Sequence, residues 1–137
     1  MSTLNPYLGF RDNARAALEF YASVFGGELT ISTFGEFHAS EDPAEVDKVM
    51  HGQLTAPGGL VLMASDTPNS MDYSPGSAIS VSLSGSTAEA AELKSYWDGL
   101  AEGATITMPL GVASWGDTFG MLVDRFGVSW LVNIAGS

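Results

Sequence analysis

Cysteine is absent from this 137-residue chain. Disulfides, thiolate metal sites and a cysteine nucleophile are therefore excluded. Basic residues are also scarce: five Lys and Arg stand against sixteen Asp and Glu, for a formal net charge of −11. Those five, Arg11, Arg15, Lys48, Lys94 and Arg125, are scattered, so the sequence builds no patch for a phosphate backbone or an anionic lipid surface. Neither nucleic acid nor a membrane is an expected partner. The sequence also lacks a basic leader followed by an apolar run, and any stretch approaching about 18 apolar residues, so a cytoplasmic protein is expected. Several catalytic signatures are missing as well. There is no G-x-S-x-G elbow, P-loop or H-E-x-x-H helix, and no strand–GxGxxG–helix unit of the kind that binds nucleotide cofactors.

What remains is a chain of 45% hydrophobic and 15% charged residues, the balance of a compact fold rather than a disordered one. We read one domain over 1–137. Leu4 to Phe10 forms a strand interrupted by Pro6, which suits a sheet edge. Asn13 caps a helix over Ala14 to Phe25, whose apolar positions recur at helical spacing, and Gly26-Gly27 stops it. Leu29 to Phe34 is a strand, and Glu36 to Asp47 is an acidic loop in which Asp42-Pro43 can start a short turn. Val49 to Thr55 and Leu60 to Ser65 are strands around Ala56-Pro57-Gly58-Gly59. After a connection over 67–77, Ala78 to Leu83 alternates with the period of a half-buried strand. Thr87 to Leu100 is a second helix, with Ala91, Leu93, Tyr96, Trp97 and Leu100 inward. Thr105 to Met108 is a strand, Pro109 to Ser114 a loop, and Thr118 to Val123 and Val128 to Ile134 a hairpin turning at Asp124-Arg125-Phe126-Gly127.

The order β-α-β-β-β thus occurs twice, over about 4–66 and 78–134. Leu18, Tyr21 and Phe25 match Leu93, Tyr96 and Leu100 at a shift of 75, and Thr30-Ile31-Ser32 matches Thr105-Ile106-Thr107 at the same shift. The hairpins match at a shift of 68, with identities Gly52/Gly120, Leu54/Leu122 and Gly59/Gly127. Agreement across helix, strand and hairpin points to an internal repeat. Neither unit has enough strands to enclose a core alone, so an α+β architecture follows, with two βαβββ units forming a curled mixed sheet around a cleft.

Several pieces of the chain carry a family resemblance. They are Pro6-Tyr7-Leu8, Asn13-Ala14 with Ala17-Leu18-Glu19-Phe20-Tyr21, Phe25-Gly26-Gly27-Glu28, Met50-His51, Leu62-Met63, Asp66, Trp115-Gly116-Asp117, Asp124-Arg125-Phe126-Gly127 and Trp130-Leu131-Val132-Asn133. With these the chain resembles the PhnB-like family of the vicinal-oxygen-chelate superfamily, the glyoxalase/bleomycin resistance/dioxygenase fold. The resemblance implies a small cytoplasmic homodimer. Some members carry a demethylubiquinone methyltransferase label, for which the residues offer no nucleotide-cofactor motif. In the superfamily's metalloenzymes, His and Glu from the first and last strands of each unit hold one divalent ion. By that pattern the ligand after Trp130 would be Leu131, and the repeat places its counterpart at Met63. Leucine is no ligand and a thioether suits soft ions, so no metal and no cofactor are expected.

His51 is the candidate for chemistry. Alternation puts it on one strand face with Gln53 and Thr55, where it can serve as hydrogen-bond partner or general base; the alternative is a partly solvated face or a local cap. His38 reads as a solvated loop histidine. Trp115, Trp130 and Tyr21 are candidate aromatic walls, Trp130 reading as core and Trp115 as cleft mouth or dimer rim. Asn133 and Ser65 are polar candidates on either face, and the methionines read as adaptable interior filling. The ligand-binding set is therefore His51, Gln53, Met63, Trp115 and Leu131. Three functions fit. The first is a small-molecule binder without the usual metal. The second is an enzyme of lyase, isomerase or dioxygenase type using His51, with or without a metal. The third is a protein whose surface, not its cleft, does the work.

Overall fold

The computed structural model describes residues 3–38, 40–71, 73 and 79–136. The chain divides into two compact units, Met1–Pro75 and Gly76–Ser137. Each is a βαβββ arrangement with one four-stranded mixed sheet, so the fold is α+β.

In the first unit, β1 (Tyr7–Phe10) is followed by α1 (Ala14–Phe25), β2 (Glu28–Thr33), β3 (Val49–Ala56) and β4 (Leu60–Asp66). The sheet order is β1-β4-β3-β2, with β1 parallel to β4 and the other pairs antiparallel. Strand β1 starts after Pro6 rather than at Leu4. It lies at the sheet edge, where a residue without an N–H does least harm. Helix α1 buries Ala14, Ala17, Leu18, Tyr21 and Phe25. It starts at Ala14 as read, with Asn13 at the N-cap position, but the Asn13 side chain makes no capping bond. The carboxylate of Asp66, 4% exposed, accepts instead from the Ala14 N–H at 2.9 Å and from the Val49 N–H at 3.0 Å. One buried side chain thereby ties the ends of three elements and satisfies two orphan donors. Gly26 and Gly27 end the helix at positive φ, and a Cβ on Gly27 would overlap the Thr55 carbonyl. In the acidic loop, Asp42 caps a 3-10 turn over Pro43–Glu45. Buried Glu45 holds that loop by accepting from Ser40 Oγ and the Asn69 N–H, each at 2.7 Å.

The second unit runs β5 (Val81–Gly85), α2 (Ala90–Ala101), β6 (Thr105–Val112), β7 (Thr118–Val123) and β8 (Ser129–Ile134), in sheet order β5-β8-β7-β6. Position 78, read as a strand start, and positions 72 and 74–77 of the connection lie outside the described residues. A 3-10 turn over Thr87–Glu89, held by a Ser86/Glu89 capping box, precedes α2. The helix buries Leu93, Tyr96, Trp97 and Leu100, whereas Ala91 is exposed. Strand β6 extends to Val112, into the stretch read as a loop, Pro109 included. It is an edge strand whose register with β7 shifts on both sides of Met108, so the missing proline donor breaks no regular ladder. By ladder position Thr105 corresponds to Glu28, not to Thr30 as the shift of 75 has it: Glu28 faces Thr55 and Thr105 faces Val123.

Each sheet is covered by its helix on one face only, as the alternation of burial along the strands records. Gly52 and Gly120 mark where helix and sheet approach closely. A Cβ on Gly52 would run into the Leu18 side chain, and one on Gly120 would sit 2.8 Å from the Trp97 ring. No helix among the described residues is long and apolar enough to cross a membrane.

Candidate functional site

The faces left free by the helices are where the sequence reading placed its candidates. In the first sheet, Gln53 is the ladder partner of Met63, Met63 of Tyr7, and Ser32 of His51. His51, Gln53 and Met63 are half-buried, while Gly52, Leu54, Leu62 and Ala64 between them are buried under α1. The strand period of two therefore brings three of the five candidates onto one face.

The residue that sequence reasoning missed is Tyr7. Its ring, 53% exposed, reaches His51, with Tyr7 Oη 3.3 Å from His51 Nδ1 and ring centroids 5.7 Å apart at 42°. The alternation of Tyr7 and Gly9 against Leu8 and Phe10 hinted at the face. What was illegible is the parallel β1–β4 register that sets Tyr7 beside Met63. Gln53 Nε2 donates to Thr55 Oγ1 at 3.3 Å, leaving a second amide hydrogen and the carbonyl for other partners.

In the second sheet the corresponding face carries the apolar side chains Met108, Phe119, Met121 and Leu131 beside the polar Ser82, Ser84 and Asn133. Leu131 is paired with Met121, and Met121 with Met108. Phe119 takes the place that His51 holds in the first unit, pairing with Asn133. Trp115 lies in the loop before β7, 61% exposed, and packs edge-on against Phe119 with centroids 5.5 Å apart. Asp117 accepts from Asn133 Nδ2 at 3.1 Å and from the Gly136 N–H at 3.0 Å. These bonds hold its carboxyl below the ordinary value, Asn133 contributing most.

Two readings of individual residues change, those of Tyr21 and of the methionines, and that of Trp130 does not. Tyr21 is fully buried in α1 and offers no aromatic wall. Met50, Met63 and Met121 are half-buried and Met71 and Met108 exposed, so these methionines are not core filling. Trp130 is core at 2% exposure, and its indole N–H donates to buried Asp124 at 2.8 Å. The same carboxylate accepts from the N–H groups of Phe126 and Val128. Asp124 is thus the organiser of the hairpin turn, and Arg125 donates from Nε to the Glu102 carbonyl at 3.2 Å.

By strand alternation, the helix-free positions of the first and last strands carry Tyr7, Gly9, Met63 and Ser65 in one unit and Ser82, Ser84, Leu131 and Asn133 in the other. A phenol, a thioether, hydroxyls and an amide do not make the imidazole–carboxylate set that a hard divalent ion requires. Among the described residues no group of three or more His, Cys, Asp or Glu could hold a metal ion. A separate depression of about 390 Å³ opens beside the start of α1. It is lined by Asp12, Arg15, Glu19 and Lys48, with Lys48 ion-paired to Asp12 at 2.5 Å.

Known proteins match this chain over nearly its whole length. The sequence model of the family described as 3-demethylubiquinone-9 3-methyltransferase matches residues 2–133. The crystal structure of protein PA1353 from Pseudomonas aeruginosa is similar with 39% identity and a TM-score of 0.83, covering 98% of each chain. The PhnB protein from Bacillus cereus is 28% identical with a TM-score of 0.72, over 98% of this chain and all of that one. At the level of fold alone, a glyoxylase/bleomycin resistance protein/dioxygenase domain from Frankia sp. EAN1pec is similar with a TM-score of 0.64 and 15% identity, covering 98% of this chain and 92% of that one. The chain belongs to the PhnB-like family described as 3-demethylubiquinone-9 3-methyltransferase, on the glyoxalase/bleomycin resistance/dioxygenase fold.

Proposed function

We propose that this protein binds a small molecule on the helix-free face of its first sheet, around His51, Gln53 and Met63, without a resident divalent metal. The observation that carries the reading is the composition of that face: an imidazole, an amide and a thioether side by side, half-buried, over a sheet whose opposite side is closed by α1. Polar groups set in an apolar, partly desolvated surface fix the orientation of a ligand, while the apolar area supplies most of the affinity. Leu131 and exposed Trp115 belong to the second unit, where we propose them as an apolar contact surface of that unit by itself. The donor set at the strand positions where the fold's metalloenzymes carry ligands supports the metal-free part. Methyl transfer is not carried over from the family's description, because the sequence contains no glycine-rich strand–helix unit for a nucleotide cofactor. A homodimer, carried by the resemblance alone, and a cytoplasmic setting complete the proposal; sedimentation velocity checks the first.

The test is a protein-observed NMR screen of aromatic and carbonyl fragments in EDTA-containing buffer. Binders are expected to shift Tyr7, His51, Gln53 and Met63, and the His51→Ala variant to lose those shifts. Binders that act only after a divalent ion is added, or that leave this face unmoved, would sink the reading.

A second reading, an enzyme using His51, is favoured by one observation. The Tyr7 hydroxyl lies at Nδ1, which leaves Nε2 to exchange a proton with a bound substrate. Consumption of a carbonyl compound by the wild-type protein and not by His51→Ala would select it.

A further inference from the structure

The geometry points to Tyr7 as a positioning residue that holds His51 in the Nε2–H tautomer, so that the face recognises an uncharged carbonyl compound. This rests on the binding site proposed above. A phenol is the stronger acid of the two groups and an unprotonated imidazole nitrogen the stronger acceptor. Across the 3.3 Å contact the Tyr7 hydroxyl therefore donates to His51 Nδ1. The neutral ring must then carry its proton on Nε2. The tilted ring contact, 5.7 Å between centroids, limits the imidazole's rotation as well.

An Nε2–H is a donor, so its partner is an acceptor, and charge decides which kind. Among the described residues, strand alternation places no Lys or Arg on this face of the sheet, and Glu28 at one edge is its one formally charged residue. With a net charge of −11 over the whole chain, a carboxylate would be repelled and would find no cation to pair with. A neutral carbonyl oxygen takes the same hydrogen bond without that cost. Tyr7 and Met63, adjacent across β1 and β4, offer an aromatic face and a polarisable sulfur to a planar apolar body.

The test uses the full chain labelled with 15N. Long-range 1H–15N correlations of His51, recorded above the ordinary imidazole pKa, are expected to show the Nε2–H tautomer in the wild type and a mixture in Tyr7→Phe. Acetophenone, ethylbenzene and benzoate are the probes. Acetophenone is expected to bind about fivefold more tightly than either of the others, the worth of one net hydrogen bond. In Tyr7→Phe that preference should fall to about twofold or less. An Nδ1–H tautomer in the wild type, or a preference unchanged in Tyr7→Phe, would overturn the positioning role. Equal binding of acetophenone and ethylbenzene, or tighter binding of benzoate, would overturn the ligand class. If none of the three probes shifts this face while the tautomer is as stated, the binding site itself fails and the positioning of His51 by Tyr7 stands.

Discussion

The two units share one topology and solve the same local problems with different residues. In the first, the helix start depends on a distant carboxylate, Asp66, reaching back to the Ala14 N–H. In the second, a Ser86/Glu89 capping box holds the 3-10 turn that leads into the helix. Buried leucine at position 62 of the first sheet corresponds to Trp130 in the second, where the indole is tied to Asp124. The helix-free faces diverge most: Tyr7, His51 and Gln53 in one unit, Met108, Phe119 and Met121 in the other. The difference teaches that the buried face of each sheet is constrained by its helix, and chemistry was free to diverge on the other.

Mutations at paired positions test this contrast. The largest effect is expected from Trp130→Ala, about 4 kcal/mol of unfolding free energy, against about 3 kcal/mol for Leu62→Ala, both for core truncation. The tryptophan change also leaves Asp124 without its indole donor, and urea denaturation of the two variants measures the gap. Next comes Asp66→Ala, which strands two buried N–H groups and should cost about 3 kcal/mol. Ser86→Ala, the loss of a local cap, should cost only about 1 kcal/mol. Equal losses would show that the two helix starts are not built differently.

Glycine substitutions sharpen the contrast in packing. Gly120→Ala places a methyl against the Trp97 ring and 2.9 Å from the Leu110 Cα, and overpacking of that kind costs about 2 kcal/mol. Gly52→Ala meets chiefly the tip of Leu18, a side chain that can turn aside, and should cost less. Thermal melts of both variants rank them.

The smallest effect is a pH dependence at Tyr96 of the second unit. Burial and the hydrogen bond to Glu92 push the Tyr96 hydroxyl up to about 12 from its ordinary value of 10.0. The folded chain holds that proton more tightly than the unfolded one. The resulting stability is therefore full below about pH 10 and is lost as pH rises through 12. Tyr96→Phe should flatten the decline in stability across that window, as denaturation at stepped pH would show.

Much of the fold was legible because helix and strand periods leave a direct mark on the sequence. Leu18, Tyr21 and Phe25, and Leu93, Tyr96 and Leu100, are buried where their spacing put them. The turn at Asp124 to Gly127 likewise follows from a glycine at φ 88°. What escaped was set by partners distant in the chain. Asn13 has the chemistry of a cap, yet the Ala14 N–H goes to Asp66, 52 residues from Ala14. Pro109 reads as a strand breaker until the sheet order shows that β6 is an edge. At the site, alternation alone grouped His51 with Gln53. Tyr7 joined them only through a parallel register, 44 residues from His51, for which no local pattern exists.

The central claim, a ligand face in the first unit that works without a divalent metal, is tested most directly by adding sub-stoichiometric Mn²⁺ to 15N-labelled protein during a titration with acetophenone. The account predicts that acetophenone shifts Tyr7, His51, Gln53 and Met63 equally well with and without the ion, and that these signals are not selectively broadened. Selective paramagnetic broadening of those four residues, with ligand shifts that appear only once the ion is present, would contradict it.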